Sequence, residues 1–348
     1  MTAGPPRVVT FGELLLRLSP PRHEPLFQTP ALRAGFGGSE ANVAVGLAQL
    51  GIECAYVTQL PDTPIGDAAL ECLREEGVDT GCISRGPERM GIYFIELGHE
   101  SRPTRVVYDR AGSAFARIAA DAIDWGSILG GAAWFHSSGI TPALGDGPAQ
   151  LLAAAIAAAH AAAMKVSLDL NYRHALWQER DPRPLIVPLA RDLELLIGNA
   201  TSVRAMLGVE VDERSLATPE GVRDLARRLA EKFHCRRVAL TRRELLSESE
   251  HGWAAALYDA TAGTITTSRR YHVRVVDRVG GGDSFAAALI ACLLGGRPDA
   301  EAVEFAVAAS ALKLTIPGDF NRVTAGEVEE LVRSGRTSVA APAAGVRS

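Results

Sequence analysis

Short runs of apolar and β-branched residues alternate along this chain with longer segments in which apolar residues recur every three to four positions. The short runs are typical of buried β-strands and the longer segments of helices, so the pattern predicts strands separated by helices. This order indicates a doubly wound α/β fold, with a mostly parallel sheet and helices on both faces. Ligands are then expected at the carboxyl ends of the strands.

The predicted strands of this sheet are 7–11, 54–59, 132–137, 165–170, 193–198, 236–241, 253–258 and 271–276. The predicted helices are 39–50, 65–76, 149–163, 184–190, 200–207, 219–233, 286–294 and 299–313. One stretch breaks the alternation, because 91–97 and 104–109 both alternate in the strand manner with no helix between them. They predict a hairpin that joins strand 14–18 in a small separate sheet, whose edge we expect a second subunit to cover.

Composition limits the possible functions. The chain has 348 residues, of which 47% are hydrophobic and 22% charged, enough for one large α/β domain with an insertion or for two domains. The net charge of −5, without long basic runs, predicts no binding to nucleic acid or anionic membranes. The longest apolar stretch, Leu151 to Met164, is too short to span a membrane. Five cysteines without C-x-x-C spacing favour a reducing, cytoplasmic location.

The strongest candidate for chemistry is the stretch 277–285, Asp-Arg-Val-Gly-Gly-Gly-Asp-Ser-Phe, which precedes an apolar helix. Gly280, Gly281 and Gly282 leave backbone N–H groups uncovered at the helix start, where they favour a phosphate or a developing negative charge. The carboxylate of Asp283 would repel a phosphate in this turn. Its presence there is explained if its task is to accept a proton from an attacking hydroxyl. The pattern indicates phosphoryl transfer to an alcohol, although a plain strand–helix connection with an Asp cap also fits.

The same stretch resembles the C-terminal signature of the ribokinase-like (PfkB) carbohydrate kinases, commonly written D-T-x-G-A-G-D-x-F. Arg278 and Val279 follow the first Asp here, and Gly281 replaces the usual Ala. The family's N-terminal signature is matched by 37–44, Gly-Gly-Ser-Glu-Ala-Asn-Val-Ala. Two signatures in this order are more specific than either alone, and the resemblance covers nearly all of 8–332.

The resemblance implies a ribokinase-like kinase domain over 1–335, with lid segments at about 14–27 and 91–110 and a loosely ordered tail at 336–348. It implies an in-line transfer from ATP in which Asp283 is the base, while Mg²⁺ and the N–H groups of the three glycines stabilise the moving phosphoryl group. The implied substrate contacts are Gly37, Gly38, Asn42, Tyr93, Tyr108, Arg110 and Arg173. The implied ATP contacts are Asn171, Asn199, Thr241, Arg243, Gly280 and Gly282. Asp277 is implied to serve a monovalent cation such as K⁺.

On local pattern alone, residues 37–42 also fit a plain glycine turn with an exposed amide, and the two tyrosines also fit strand packing. Two departures from the family pattern affect the nucleotide site. After Thr241 the chain has 242–247, Arg-Arg-Glu-Leu-Leu-Ser, where the family has a glycine-containing turn that meets the phosphates. The family's Asn-x-x-Glu segment, which is linked to magnesium, ends here in Ser202. Mg²⁺ is therefore expected to be held mainly by phosphates and water.

Three further segments resemble those of 2-keto-3-deoxygluconate kinases: 108–110, 136–143 and 167–173. A keto-deoxy sugar acid carries a carboxylate, and two arginines in the crevice of an acidic protein suit an anion better than a neutral sugar. We therefore expect ATP-dependent phosphorylation of 2-keto-3-deoxygluconate to its 6-phosphate. The alternatives are a kinase for a neutral sugar or nucleoside and, in another class, a non-catalytic relative that binds sugar or nucleotide. The base in the anion-binding turn argues against the last alternative.

Overall fold

The computed structural model describes residues 7–21, 23–178 and 180–340. The strands are β1 Arg7–Phe11, β2 Leu15–Ser19, β3 Arg33–Gly37, β4 Cys54–Pro61, β5 Ile83–Gly86, β6 Ile92–Glu96, β7 Arg105–Asp109, β8 Ala132–Ser138, β9 Lys165–Asp169, β10 Leu195–Gly198, β11 Arg237–Ser247, β12 Glu250–Asp259, β13 Thr264–Thr267, β14 Tyr271–Arg274 and β15 Ser338–Val339. The helices are α1 Ser39–Gln49, α2 Pro64–Glu75, α3 Trp125–Leu129, α4 Asp146–Ala161, α5 His174–Trp177, α6 Arg183–Leu189, α7 Ala200–Leu207, α8 Pro219–Phe233, α9 Gly281–Leu294, α10 Asp299–Lys313 and α11 Ala325–Ser334.

The large sheet has the strand order β15-β14-β12-β11-β10-β9-β8-β1-β4-β5, and β13 pairs with β12. From β11 to β5 all neighbours are parallel, whereas β12 is antiparallel to both β11 and β14. Strand β1 pairs with β4 on one side and with β8 on the other, so the chain order reverses at β1. The crevice between the carboxyl ends of β1 and β8 is thus the expected ligand site of a doubly wound sheet.

Two apolar layers cover the faces of this sheet, because neighbouring residues of a strand point to opposite sides. Val8 belongs to the layer that contains α1, α9 and α10, and Val9 to the layer that contains α4 and α8. Helix α9 is apolar on nearly every side and packs between α1 and α10. The start of α9, where the glycine turn lies, is therefore held inside the protein. The predicted doubly wound α/β class is confirmed.

The predicted lid is present as a second sheet of order β3-β2-β6-β7. Strands β6 and β7 form the predicted antiparallel hairpin, and β6 pairs in parallel with β2. Strand β3 was not predicted, because its glycines break the strand pattern and the segment reads as a turn. It leads directly into α1, so the lid and the N-terminal signature are joined without a loop between them.

Four further differences from the sequence predictions concern the C-terminal half. Residues 242–247, expected as a turn, continue strand β11 into a long hairpin with β12. Strand β13 and helix α11 were not predicted. In the tail predicted to be loosely ordered, Ser338 and Val339 pair with β14, while 341–348 lie outside the described residues. No helix in the described ranges is long and apolar enough to cross a membrane.

Candidate active site

A cleft of about 770 Å³ opens between the lid and the carboxyl ends of the parallel strands. Every residue that the sequence assigned to substrate, nucleotide or catalysis lines this cleft. Asp277 is the exception, because it is buried behind the glycine turn. The fold thus gathers residues from both ends of the chain at the predicted place.

Asp283 lies in the first turn of α9, directly after the glycine turn, and is only 7% exposed. The Ser39 hydroxyl donates to its Oδ1 at 2.8 Å, and the Asn42 amide donates to its Oδ2 at 2.7 Å. Burial raises the pKa of Asp283, and these two hydrogen bonds oppose the rise. Both donors are neutral, so they fix the carboxylate in position without an ion pair, and its pKa remains raised by burial. That combination suits a general base.

Asn171 orients the Ser39 hydroxyl that donates to Asp283. Its side-chain amide donates to the Ser39 oxygen at 2.8 Å, so the Ser39 proton is directed to Asp283. Asn171 has a positive φ of 38° after β9, and its backbone N–H donates to Asp169 at 2.9 Å. Burial, and next the charge of Asp283, raise the pKa of Asp169 to about 7. The residue predicted to contact ATP therefore also supports the Asp283 carboxylate.

The glycines of the N-terminal signature allow the protein to pack on itself. A Cβ on Gly37 would lie 1.9 Å from the Asp319 carboxylate, and one on Gly38 would lie 2.0 Å from the Glu13 carbonyl oxygen. Gly38 is the N-cap residue of α1 and has an extended backbone. The Ser39 side chain is directed to Asp283 instead of capping the helix.

Glu40 fixes α1 to the crevice, and sequence reasoning missed it. Its Oε1 accepts from the Ser138 N–H at 2.9 Å, the Ser138 hydroxyl at 2.6 Å and the Thr141 hydroxyl at 3.0 Å. Glu40 is buried, and burial raises its pKa. The available signal was a Glu at a helix start together with a hydroxyl-rich segment directly after strand β8.

Two predicted substrate contacts already have protein partners. Arg110 Nε donates to Glu13 at 2.8 Å, and its guanidinium lies 5.4 Å from the Tyr108 ring centroid. The Tyr93 hydroxyl donates to Asp319 at 2.5 Å. These side chains line the cleft, but the charge of Arg110 is compensated by Glu13. Arg110 therefore lies in the crevice as expected but is paired with Glu13.

Other guanidinium groups of the cleft lack such compensation. Neither Arg173 nor Arg243 forms an ion pair within the described part of the chain, and Arg278 has only a 3.5 Å contact with Glu248. Burial, followed by the charges of Arg278 and Arg173, lowers the pKa of Arg243. Three positive groups that repel one another around an open cleft form a site for an anionic ligand. This charge pattern and the uncovered glycine turn fit a nucleoside triphosphate.

Of the predicted nucleotide contacts, Asn199 directly follows β10, whereas Thr241 lies within β11. Asn199 caps α7 by accepting from the Ser202 N–H at 2.9 Å, and the Ser202 hydroxyl accepts from the Asn199 N–H at 2.8 Å. The residue that replaces the family's Glu is therefore the second half of a capping box. The described residues contain no cluster of three His, Cys, Asp or Glu side chains suited to a metal ion.

The Asp277 carboxylate is held by protein donors. Its Oδ2 accepts from Arg17 at 2.5 Å and from the Gly318 N–H at 3.0 Å, and its Oδ1 accepts from the Val279 N–H at 3.1 Å. These contacts give Asp277 a cationic partner within the protein and do not support the expected alkali-cation ligand. Its position behind the turn suggests that it supports the glycines.

Comparisons with known proteins agree with this geometry. The sequence profile of the pfkB family carbohydrate kinases matches residues 5–324. A 2-dehydro-3-deoxygalactonokinase from Haloferax volcanii is 34% identical, over 95% of this chain and 98% of that protein. The crystal structure of a 2-dehydro-3-deoxygluconokinase from Thermotoga maritima is 43% identical with a TM-score of 0.91, over 95% of this chain and 99% of the other. A putative ribokinase II from E. coli, in complex with ATP and Mg²⁺, shares the fold at 22% identity and a TM-score of 0.77, over 94% and 99% of the two chains. The chain belongs to the PfkB family of carbohydrate kinases.

Proposed function

We propose that this protein transfers the γ-phosphoryl group of ATP to the terminal hydroxyl of a keto-deoxy sugar acid such as 2-keto-3-deoxygluconate. The observation that carries the proposal is the buried Asp283 carboxylate, held by two neutral donors beside an open glycine turn. The names of the relatives, kinases of 2-dehydro-3-deoxy sugar acids, support this substrate class.

In this proposal Asp283 accepts the proton of the sugar hydroxyl as its oxygen attacks phosphorus. The first N–H groups of α9 have no partner within the helix and stabilise the charge on the phosphoryl oxygens. A Cβ on Gly282 would meet nothing within 4 Å, which leaves this part of the turn open to a ligand. ATP with Mg²⁺ supplies the phosphoryl group, and Mg²⁺ is held by phosphates and water rather than by a protein carboxylate cluster.

We assign the unpaired arginines of the cleft to two different ligands, the sugar acid and the nucleotide. Arg173 is exposed and unpaired within the described residues, so we assign the sugar carboxylate to it, while Arg110 and Tyr108 border the same pocket. Arg243, Thr241 and Asn199 are assigned to the nucleotide side. K⁺ is left out of the proposal, because Asp277 is already paired with Arg17. The unpaired cysteines suit a cytoplasmic enzyme.

The test compares acid and neutral sugars in a coupled ADP-release assay with wild type and Arg173→Leu. Loss of a charge-assisted contact is expected to weaken the acid substrate by about 2–5 kcal/mol and the neutral analogue much less. The informative quantity is kcat/KM for the acid divided by kcat/KM for the neutral sugar. If Arg173 also contacts the phosphate, its loss lowers both values equally and leaves this ratio unchanged. Arg191→Leu is the matched control, because it removes an exposed arginine that does not line the cleft and forms no ion pair within the described residues.

The outcomes separate the alternatives. An unchanged ratio in Arg173→Leu removes this residue from carboxylate recognition. Equal turnover of acid and neutral sugars by the wild type indicates a neutral-sugar kinase, and no ADP release with any sugar indicates a non-catalytic binder.

We also propose that a second copy of this chain covers the outer edge of the lid. Strand β7 forms that edge, pairs with β6 on one side only, and carries the exposed Val107, which does not line the cleft. Light scattering after gel filtration should show a dimer or larger assembly that Val107→Lys dissociates. A wild-type monomer at micromolar concentration contradicts this proposal.

A further inference from the structure

Four charged side chains are buried together behind the glycine turn. They are the cations Arg17 and Lys313 and the anions Asp277 and Asp319, each at most 5% exposed. The proposed transfer of phosphate does not use any of them directly. Since buried charges are costly unless they are paired, a cluster of this kind next to a catalytic turn calls for a physical reason.

Lys313 is the unusual member of this cluster. The chain contains only three lysines among its 36 basic residues, and this one ends α10 with no exposed surface. Its ammonium donates to the Gly318 carbonyl at 2.9 Å and to the Ile316 carbonyl at 3.2 Å. A compact, point-like positive charge therefore lies among main-chain carbonyls of the loop 314–319, the kind of site that an alkali cation occupies.

The cluster leaves no role for an additional cation. Arg17 donates to both carboxylates, at 2.5 Å to Asp277 and 2.7 Å to Asp319, so two positive and two negative side chains balance. A further monovalent ion would add an uncompensated charge to the interior and would have to displace the ammonium from its carbonyls. Burial lowers the pKa of Lys313, and the charges of Asp277 and Asp319 oppose this change.

The loop that Lys313 holds is in direct contact with the glycine turn. The Leu314 carbonyl accepts from the N–H groups of Val276, at 2.8 Å, and of Asp277, at 3.2 Å. A Cβ on Gly280 would lie 2.2 Å from the Asp319 carbonyl oxygen and 3.1 Å from Lys313 Cε. The Ser310 hydroxyl, one turn earlier in α10, donates to the Gly281 carbonyl at 2.6 Å. Any movement of this loop therefore changes the position of the N–H groups that face the cleft.

From these contacts we propose that the Lys313 ammonium is a built-in substitute for the monovalent cation, so that the enzyme needs no K⁺. Lys313 is a positioning residue: it fixes the loop 314–319, and the loop fixes the glycine turn. The Asp277 carboxylate, paired with Arg17, serves the same scaffold rather than an ion.

The test measures kcat/KM and the melting temperature in KCl, NaCl and choline chloride at equal ionic strength. ADP is quantified by chromatography, so that no coupling enzyme contributes its own cation dependence. Wild type should give the same values in all three salts. Lys313→Ala should lose on the order of 10²-fold in kcat/KM through misplacement of the turn. KCl or NH₄Cl should restore part of the activity of this variant and raise its melting temperature, because K⁺ or NH₄⁺ enters the space that the lysine ammonium has left.

Two further variants serve as controls. Lys313→Met fills most of the space without a charge, so neither KCl nor NH₄Cl should restore it. Lys232→Ala removes an exposed lysine of α8 and should behave as wild type. Activation of the wild type by KCl over choline chloride overturns the proposal, even if Lys313→Ala does not fold. A folded Lys313→Ala that no small cation restores or stabilises also overturns it. The activity measurement rests on the proposed function, whereas the melting measurement does not, so the two can fail separately.

Discussion

Replacing Asp283 with Asn should remove most of the activity and at the same time stabilise the protein. The amide has the shape of the carboxylate, and the hydrogen-bond network can adapt to it. Its oxygen can accept from Asn42, and its NH₂ group can donate to the Ser39 oxygen once the Ser39 hydroxyl proton rotates away. The variant is thus expected to fold with the site geometry intact and to lack only the ability to accept a proton.

The expected loss of turnover is on the order of 10²–10⁴, the usual contribution of a positioned general base. This corresponds to about 3–5 kcal/mol of transition-state stabilisation, at about 1.36 kcal/mol for each factor of ten. ATP binding should be nearly unchanged, because the glycine N–H groups and the cleft arginines are retained. The neutral side chain also slightly reduces the repulsion that phosphate oxygens meet in this turn.

The stability change follows from the raised pKa of Asp283, whose main cause is burial. Between the ordinary Asp value of about 3.9 and the higher folded-state value, the folded protein holds a proton that the unfolded chain has released. The stability of the wild type therefore falls as pH rises through this window. Asp283→Asn lacks this dependence, so its advantage in free energy of unfolding should be small near pH 4 and increase as pH rises towards 8. A single stabilising substitution of this kind contributes about 0.5–2 kcal/mol.

The assay pairs steady-state kinetics with thermal melts between pH 4 and pH 8. Asp277→Asn is the matched control, because it makes the same substitution six positions earlier in a carboxylate that is paired with Arg17. Breaking that buried pair should destabilise the protein by about 3–5 kcal/mol. Near-normal turnover of Asp283→Asn would refute its role as the base. Lower stability of the variant at pH 8 would show that the fold favours the ionised carboxylate and that burial does not dominate its pKa.

Three further substitutions test the surroundings of the base. Asn42→Leu removes a donor to the Asp283 carboxylate, so the acid limb of the kcat/KM profile should move to higher pH; an unmoved limb would contradict this. Gly280→Ala should abolish activity, since Gly280 has a φ of 80° and its Cβ would meet a carbonyl oxygen at 2.2 Å, whereas Gly282→Ala should fold normally by circular dichroism. Glu40→Gln keeps an oxygen for all three donors and removes a buried charge, so it should melt higher than wild type at pH 8; a lower melting temperature would show that the charge is needed.

Much of the fold could be predicted from the sequence, because most segments carry a consistent local signal. Helices α7, α8 and α10 begin and end at the predicted residues, since each combines amphipathic or apolar periodicity with clear flanking signals. Strand β3 was missed because two glycines interrupt it, and the strand character of 242–247 because exposed arginines hide the pattern. In both cases strand pairing overrides the weak local propensity: 33–37 pairs with β2, and 242–247 pairs with the next strand, β12.

In the candidate site, too, some residues could be predicted from the sequence and others could not. The glycine turn and Asp283 could be predicted because their chemistry lies within a few consecutive residues. The partners could not, because the hydrogen bonds of Ser39 and Asn42 to Asp283 join residues more than 240 positions apart. For the same reason the sequence indicated Arg110 as a cation of the crevice but gave no sign of its partner Glu13, 97 positions away.

The two aspartates of the C-terminal signature show why the partners decide the chemistry. Asp277 and Asp283 are carboxylates in one short turn, both buried, and their burial alone gives no reason to prefer one as a base. The structure surrounds Asp277 with a guanidinium and two N–H groups, so protein donors already occupy this carboxylate. It gives Asp283 only a hydroxyl and an amide, and no cation within ion-pair distance among the described residues. A carboxylate that is buried without a compensating charge retains its affinity for a proton, and such affinity is what a base must have to deprotonate a sugar hydroxyl.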